Sequence, residues 1–116
     1  VTQGTGLMWQ KEDDNTERKW EDAISYCEGL SLGGYNDWRL PDIKELESIV
    51  DKTRSNPSIN TTYFPNTDSS WGYWSSTTDT RAGYTSGAWD VDFCCGSVLG
   101  NSKSSKLYVR CVRGGQ

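Results

Sequence analysis

The chain has 116 residues, enough for one domain with a small core. Only 34% of it is apolar, the formal net charge is -4, and the lysines and arginines are dispersed, which excludes nucleic-acid binding through bulk charge. No apolar stretch is long enough to cross a membrane, and the lack of histidine removes Ser-His-Asp and Cys-His catalysis together with the commonest metal ligand.

Gly6 to Gln10 predicts a short first strand. Glu12 to Thr16 is polar and turn-like. Glu12, Asp13, Asp14 and Asn15 offer oxygen atoms suited to calcium, but not at EF-hand spacing, so this run is expected to be a solvated loop and no metal is assigned. Trp20, Ala23, Ile24, Cys27 and Leu30 then fall on one helical stripe, ended by Gly29, Gly33 and Gly34. A second helix follows Pro41. Asp42 with Glu45 forms a D-x-x-E capping pattern, Ile43, Leu46, Ile49 and Val50 make its buried face, and the helix is expected to end near Asp51.

From Lys52 onward loop signals dominate, at Asn56-Pro57, Asn60, Pro65-Asn66 and Asp68 to Ser70. Three strand-like runs come after them, at 72–77, 88–93 and 107–112. In the middle run Trp89, Val91 and Phe93 alternate with Asp90 and Asp92, which predicts a half-buried strand with one wet acidic face. Leu107, Val109 and Cys111 share the inner face of the last run. Two helices packed on short antiparallel strands make an α+β domain spanning 1–116.

Four cysteines in a small domain rich in tryptophan, glycine and serine point to an oxidising compartment. Three full pairings are open. Cys27 lies on the inner face of the first helix and Cys111 on the inner face of the last strand, so a Cys27–Cys111 bridge is favoured. It would close a loop of more than 80 residues, worth roughly 4 kcal/mol in the chain-entropy model. Cys94 and Cys95 are adjacent, on or beside a strand end. Neighbouring strand residues point to opposite faces, so they are expected to pair poorly with each other.

Thr78 to Ala88 and Cys94 to Ser105 are rich in small polar residues with an occasional tyrosine and arginine, the composition of adaptable recognition loops. The candidate ligand contacts are Arg81, Tyr84, Asp90, Asp92, Ser97, Asn101 and Ser102, with Trp71 nearby. Trp9, Trp20, Trp38, Trp74 and Trp89 are read as core, and Trp71 and Tyr84 as the better candidates for exposed aromatics. No catalytic residue and no cofactor is assigned. The expected partner is a glycan or a protein.

Several stretches together carry a family resemblance. They are Gly6 to Trp9, Trp20 to Ala23 with Tyr26-Cys27, G-G-Y-N-D-W-R-L-P at 33–41, Lys44 to Leu46, Tyr63 to Pro65, Y-W-S-S-T at 73–77 and V-R-C-V-R-G at 109–114. With them the chain resembles the C-terminal domain of the Legionella collagen-like adhesin. The resemblance implies a C-type-lectin-like fold with its N- and C-terminal strands close together and a helix-to-last-strand disulfide, in a secreted or surface-attached bacterial protein. It also implies trimers for at least one member, and adhesins that bind sulfated polysaccharide. That ligand calls for a basic surface, and this chain has no basic cluster. Two alternatives follow from the same fold. One is a protein-binding product of a diversity-generating retroelement. The set Asp92, Cys94, Cys95, Ser97, Leu99, Gly100, Asn101, Ser102, Ser104 and Ser105 is compatible with randomised AAC codons. The other is a degenerate formylglycine-generating enzyme, although its active-site cysteine pair is arranged differently from Cys94-Cys95.

Overall fold

The computed structural model describes residues 6–68, 71–79 and 87–114. Along them run β1 (Leu7–Trp9), α1 (Trp20–Glu28), α2 (Ile43–Glu47), β2 (Gly72–Asp79), β3 (Gly87–Asp92), β4 (Ser97–Ser102) and β5 (Val112–Gly114). β2, β3 and β4 form an antiparallel sheet with β3 in the middle, and β1 pairs antiparallel with β5. The architecture is α+β, and the first and last strands are neighbours, Leu7 opposite Gly114 and Trp9 opposite Val112.

The helical stripe behaves as its spacing predicts. Ala23 and Cys27 are fully buried, with Trp20, Ile24 and Leu30 packed around them. At α2 both halves of the capping box form: Asp42 accepts from the Glu45 N–H, and the Glu45 carboxylate accepts from the Asp42 N–H. This helix stops at Glu47 rather than near Asp51. The Ser48 hydroxyl takes the Glu45 carbonyl, and the Ile49 and Val50 N–H groups reach back only three residues, so the chain tightens out of α geometry while Ile49 stays buried.

Successive strand residues point to opposite faces, and both faces of the three-stranded sheet are covered. Tyr73, Val91 and Phe93 enter one core with Leu7, Trp9, Leu46, Ile49, Ile59, Phe64 and Val112. Trp74 and Ala88 enter the other, with Ala23, Cys27, Trp38, Leu40, Leu107, Val109 and Cys111. The wet acidic face expected on β3 is therefore only half right. Asp92 is half-buried, but Asp90 is 1% exposed, because the second core extends under it. Of the tryptophans expected in the core, Trp9, Trp38 and Trp74 are buried, whereas Trp20 and Trp89 are half-buried.

Cys27 and Cys111 are bonded, with their Cα atoms 5.5 Å apart and both side chains in the second core. Cys94 and Cys95 are bonded to each other, against the expectation from strand geometry. The premise of that expectation fails. Residues 93–96 make the turn between β3 and β4, where neighbouring side chains are not held on opposite faces of a pleat. Residues 97–102, read from composition as a loop, are the edge strand β4, paired with β3 from Asp92–Ser97 to Gly87–Ser102. Serine, glycine and asparagine have weak strand preferences, but pairing to a well-formed neighbour overrides them.

The acidic run at 12–15 is also more than a solvated loop. Asp13 is buried and accepts from the Tyr73 hydroxyl and the Asn15 N–H, with the Arg110 guanidinium 3.6 Å away. Arg110 is 0% exposed. It donates to the Gln10 and Lys11 carbonyls and to Thr67. Burial outweighs these partners and raises the Asp13 pKa, with the Tyr73 hydrogen bond and Arg110 acting in the opposite direction. Asp14 pairs with Arg18, which lowers its pKa. Among the described residues no group of three or more acidic or cysteine side chains is placed to hold a metal, and no helix is long and apolar enough to cross a membrane.

Candidate ligand-binding site

The three-stranded sheet carries a pocket of about 110 Å³ lined by Trp71, Gly72, Asp90, Asp92, Leu99, Asn101 and Leu107. Its geometry follows from strand register. Asp90 on β3 lies opposite Leu99 on β4, so their side chains rise on the same face. Asn101, two residues further along β4, shares that face, and its Nδ2 donates to Asp90 Oδ1 at 2.8 Å. On the other flank β2 starts with Gly72, which has no side chain. A Cβ built there would stand 2.0 Å from Asp90 Oδ2. Gly72 thus makes the space in which the Asp90 carboxylate lies. Trp71, just before β2, is 52% exposed, and Leu99 is 44% exposed.

Burial pushes the Asp90 pKa up to about 6, with the Asn101 hydrogen bond lowering it and the nearby Asp92 charge raising it. Asp92 is anchored by its own backbone neighbourhood: Oδ1 accepts from the Cys94 N–H at 2.9 Å. The pocket therefore combines an exposed indole and an exposed leucine with a sunken carboxylate and an amide. It can accept hydrogen bonds, attract positive charge and cover an apolar surface.

The structure brings together Trp71, Asp90, Asp92 and Asn101 of the residues singled out in the sequence. Ser97 is exposed and lies opposite Asp92 on β4, beside the pocket rather than in its lining. Ser102 turns to Ser104, with their hydroxyls 2.8 Å apart, and is not among the lining residues. Arg81 and Tyr84 lie outside the described residues. Sequence reasoning missed Gly72, Leu99 and Leu107 as lining residues. A glycine at a strand start directly after an exposed tryptophan, and the Val98-Leu99 pair in a serine-rich run, were the available signals.

The model of the Lcl C-terminal domain matches residues 2–113, almost the whole chain. The chain belongs to the Lcl C-terminal domain family. No curated protein matches its sequence. In this Lcl C-terminal domain the stretches that carry the resemblance build scaffold. In 33–41, Trp38 and Leu40 are buried, and Arg39 clamps Glu45 and the Gly114 carbonyl. In 109–114, Arg110 and Cys111 are buried, and Arg113 pairs with Asp37. The pocket sits apart from both stretches, on the start of β2, on β3 and on β4.

Proposed function

We propose that this Lcl C-terminal domain is a ligand-binding module of the adhesin type, secreted or displayed on the cell surface and C-type-lectin-like in fold, which recognises a glycan or a protein. The observation that carries this reading is the pocket itself, where exposed Trp71 and Leu99 flank the buried Asp90 carboxylate. Large apolar side chains left in water around a convergent polar group are characteristic of a binding site. Three features support it. The family is adhesin-associated, the Cys27–Cys111 staple fits an oxidising compartment, and the absence of histidine favours binding over acid–base catalysis.

A glycan array and a protein-interaction screen, run in parallel on the wild type and on Trp71→Ala, test the reading. The expected result is a ligand held by the wild type and lost by Trp71→Ala, with the two proteins melting within a few degrees of each other. A ligand bound equally well by wild type, Trp71→Ala and Leu99→Ser would place recognition elsewhere on the surface.

A further inference from the structure

The charge inside the pocket narrows the ligand, taking the pocket as the recognition site. Among the described residues its lining holds two carboxylates, Asp90 and Asp92, and no basic side chain. Asp90 is 1% exposed, yet among the described residues its only hydrogen-bond donor is the neutral amide of Asn101, on Oδ1. Oδ2 takes no hydrogen bond from any described residue. A carboxylate removed from water without a counter-charge is costly, and it is stabilised by whatever cation can reach it.

We propose that the pocket receives the cationic side chain of a lysine or arginine on a partner protein. An ammonium or guanidinium group supplies a donor to Oδ2 and a positive charge beside Asp90 and Asp92, neither of which the described lining provides. Trp71 offers an aromatic face to the cation, and Leu99 and Leu107 offer apolar surface to the methylenes behind it. The space, about 110 Å³, is on the scale of one inserted side chain. Sulfated or uronic-acid glycans are rejected by the same two carboxylates.

The proposal has a pH signature. Asp90 titrates near pH 6, because burial and Asp92 oppose its ionisation. The other described walls are Trp71 and Gly72 before and on β2, Leu99 and Asn101 on β4, and Leu107, none of them ionisable. A cationic ligand needs Asp90 ionised, so its affinity should fall about tenfold between pH 7.5 and pH 5.

The test is a titration of the isotope-labelled domain with Nα-acetyl-lysine methylamide, Nα-acetyl-arginine methylamide, the uncharged N-acetyl-norleucine methylamide and the uncharged sugar N-acetylglucosamine, followed at the Asn101 side-chain amide and the Trp71 indole. The expected result is saturable shifts with the lysine or arginine compound and at least tenfold weaker binding of the norleucine compound. Asp90→Asn should reduce the cation to the norleucine level and remove the pH dependence. Equal binding of norleucine and lysine overturns the proposal in favour of a purely apolar contact. Binding of N-acetylglucosamine alone overturns it while leaving the pocket as a glycan site. No shift with any probe also overturns it, and the Trp71→Ala comparison in the ligand screens then decides whether the pocket binds anything.

Discussion

Asp90 is the residue at which burial and charge conflict. Its carboxyl is raised to about 6 from an ordinary value of 3.8, so the folded protein binds a proton more readily than the unfolded chain does. Stability contributed by that proton is present below pH 4 and is lost as the pH rises to 6 and above. Asp90→Asn should therefore stabilise the domain at pH 7.5 by about 1–3 kcal/mol, keep the acceptor for Asn101, and flatten the stability profile between pH 4 and pH 6. Urea unfolding of both proteins at pH 4.5 and pH 7.5 measures this, and a profile unchanged by the substitution would show that Asp90 is solvated. Asn101→Ala should act in the opposite direction, costing about 1–3 kcal/mol by leaving the buried Oδ1 without a donor. The alternation of β3 placed Asp90 on the outward, wet acidic face, and the structure buries it instead. Alternation could not show that Asn101, 11 residues away, would reach across the hairpin and allow that burial.

At the scale of elements, the pocket is a product of register between β2, β3 and β4. Gly72 faces Asp92 in the ladder, and the carboxylate of Asp90 lies over its Cα. Gly72→Ala puts a methyl 2.0 Å from Oδ2 and 3.0 Å from Cγ, so the carboxylate has to move or the strands have to part. The expected cost is about 1–3 kcal/mol. In a double-mutant cycle Asp90→Ala should recover part of it, because the colliding atoms are gone. Thermal melts of the four proteins give the coupling, and strictly additive losses would mean that the clash is relieved elsewhere. Elements with strong local signals were legible: the stripe of α1, the D-x-x-E cap of α2, and the aromatic strands β2 and β3. β4 was not, because beyond Val98 and Leu99 it consists of Ser, Gly and Asn, a weak strand signature, and it is ordered by its partner. The Cys94–Cys95 bond was hidden for the same reason, since it belongs to the turn that β4 creates.

The whole molecule is two cores back to back across one sheet, closed by long-range ties that differ in how far sequence can foresee them. The Cys27–Cys111 bond spans 84 residues and was expected from the sequence, Cys27 from the helical stripe of α1. The strand expected at 107–112 forms only from Val112 onward, and Cys111 is buried beside Arg110 and Val112 rather than by alternation. Replacing Cys111 with serine should cost about 2–5 kcal/mol, checked by denaturant unfolding against the oxidised and reduced wild type. The second tie had no such pattern. Arg110 reaches the Gln10 carbonyl, 100 residues away in sequence, while Tyr73 reaches Asp13 across 60 residues. An arginine between Val109 and Cys111 reads as the solvated side of a strand. It is buried instead because Phe64 and Tyr73 cover its guanidinium, at 4.8 and 5.7 Å from the ring centres, while loop carbonyls accept its hydrogen bonds. Removing one partner from such a buried set leaves Asp13 with an uncompensated charge and the two carbonyls without a donor. Arg110→Ala is therefore expected to cost about 3–5 kcal/mol at pH 7.5, as much as the disulfide. The double variant Arg110→Ala with Asp13→Asn should recover part of that loss, because the stranded charge is removed. Denaturant unfolding at a fixed pH separates the two. If Arg110→Ala unfolds at the wild-type midpoint, the N-terminal loop is held by the sheet alone, and the arginine adds nothing to its closure.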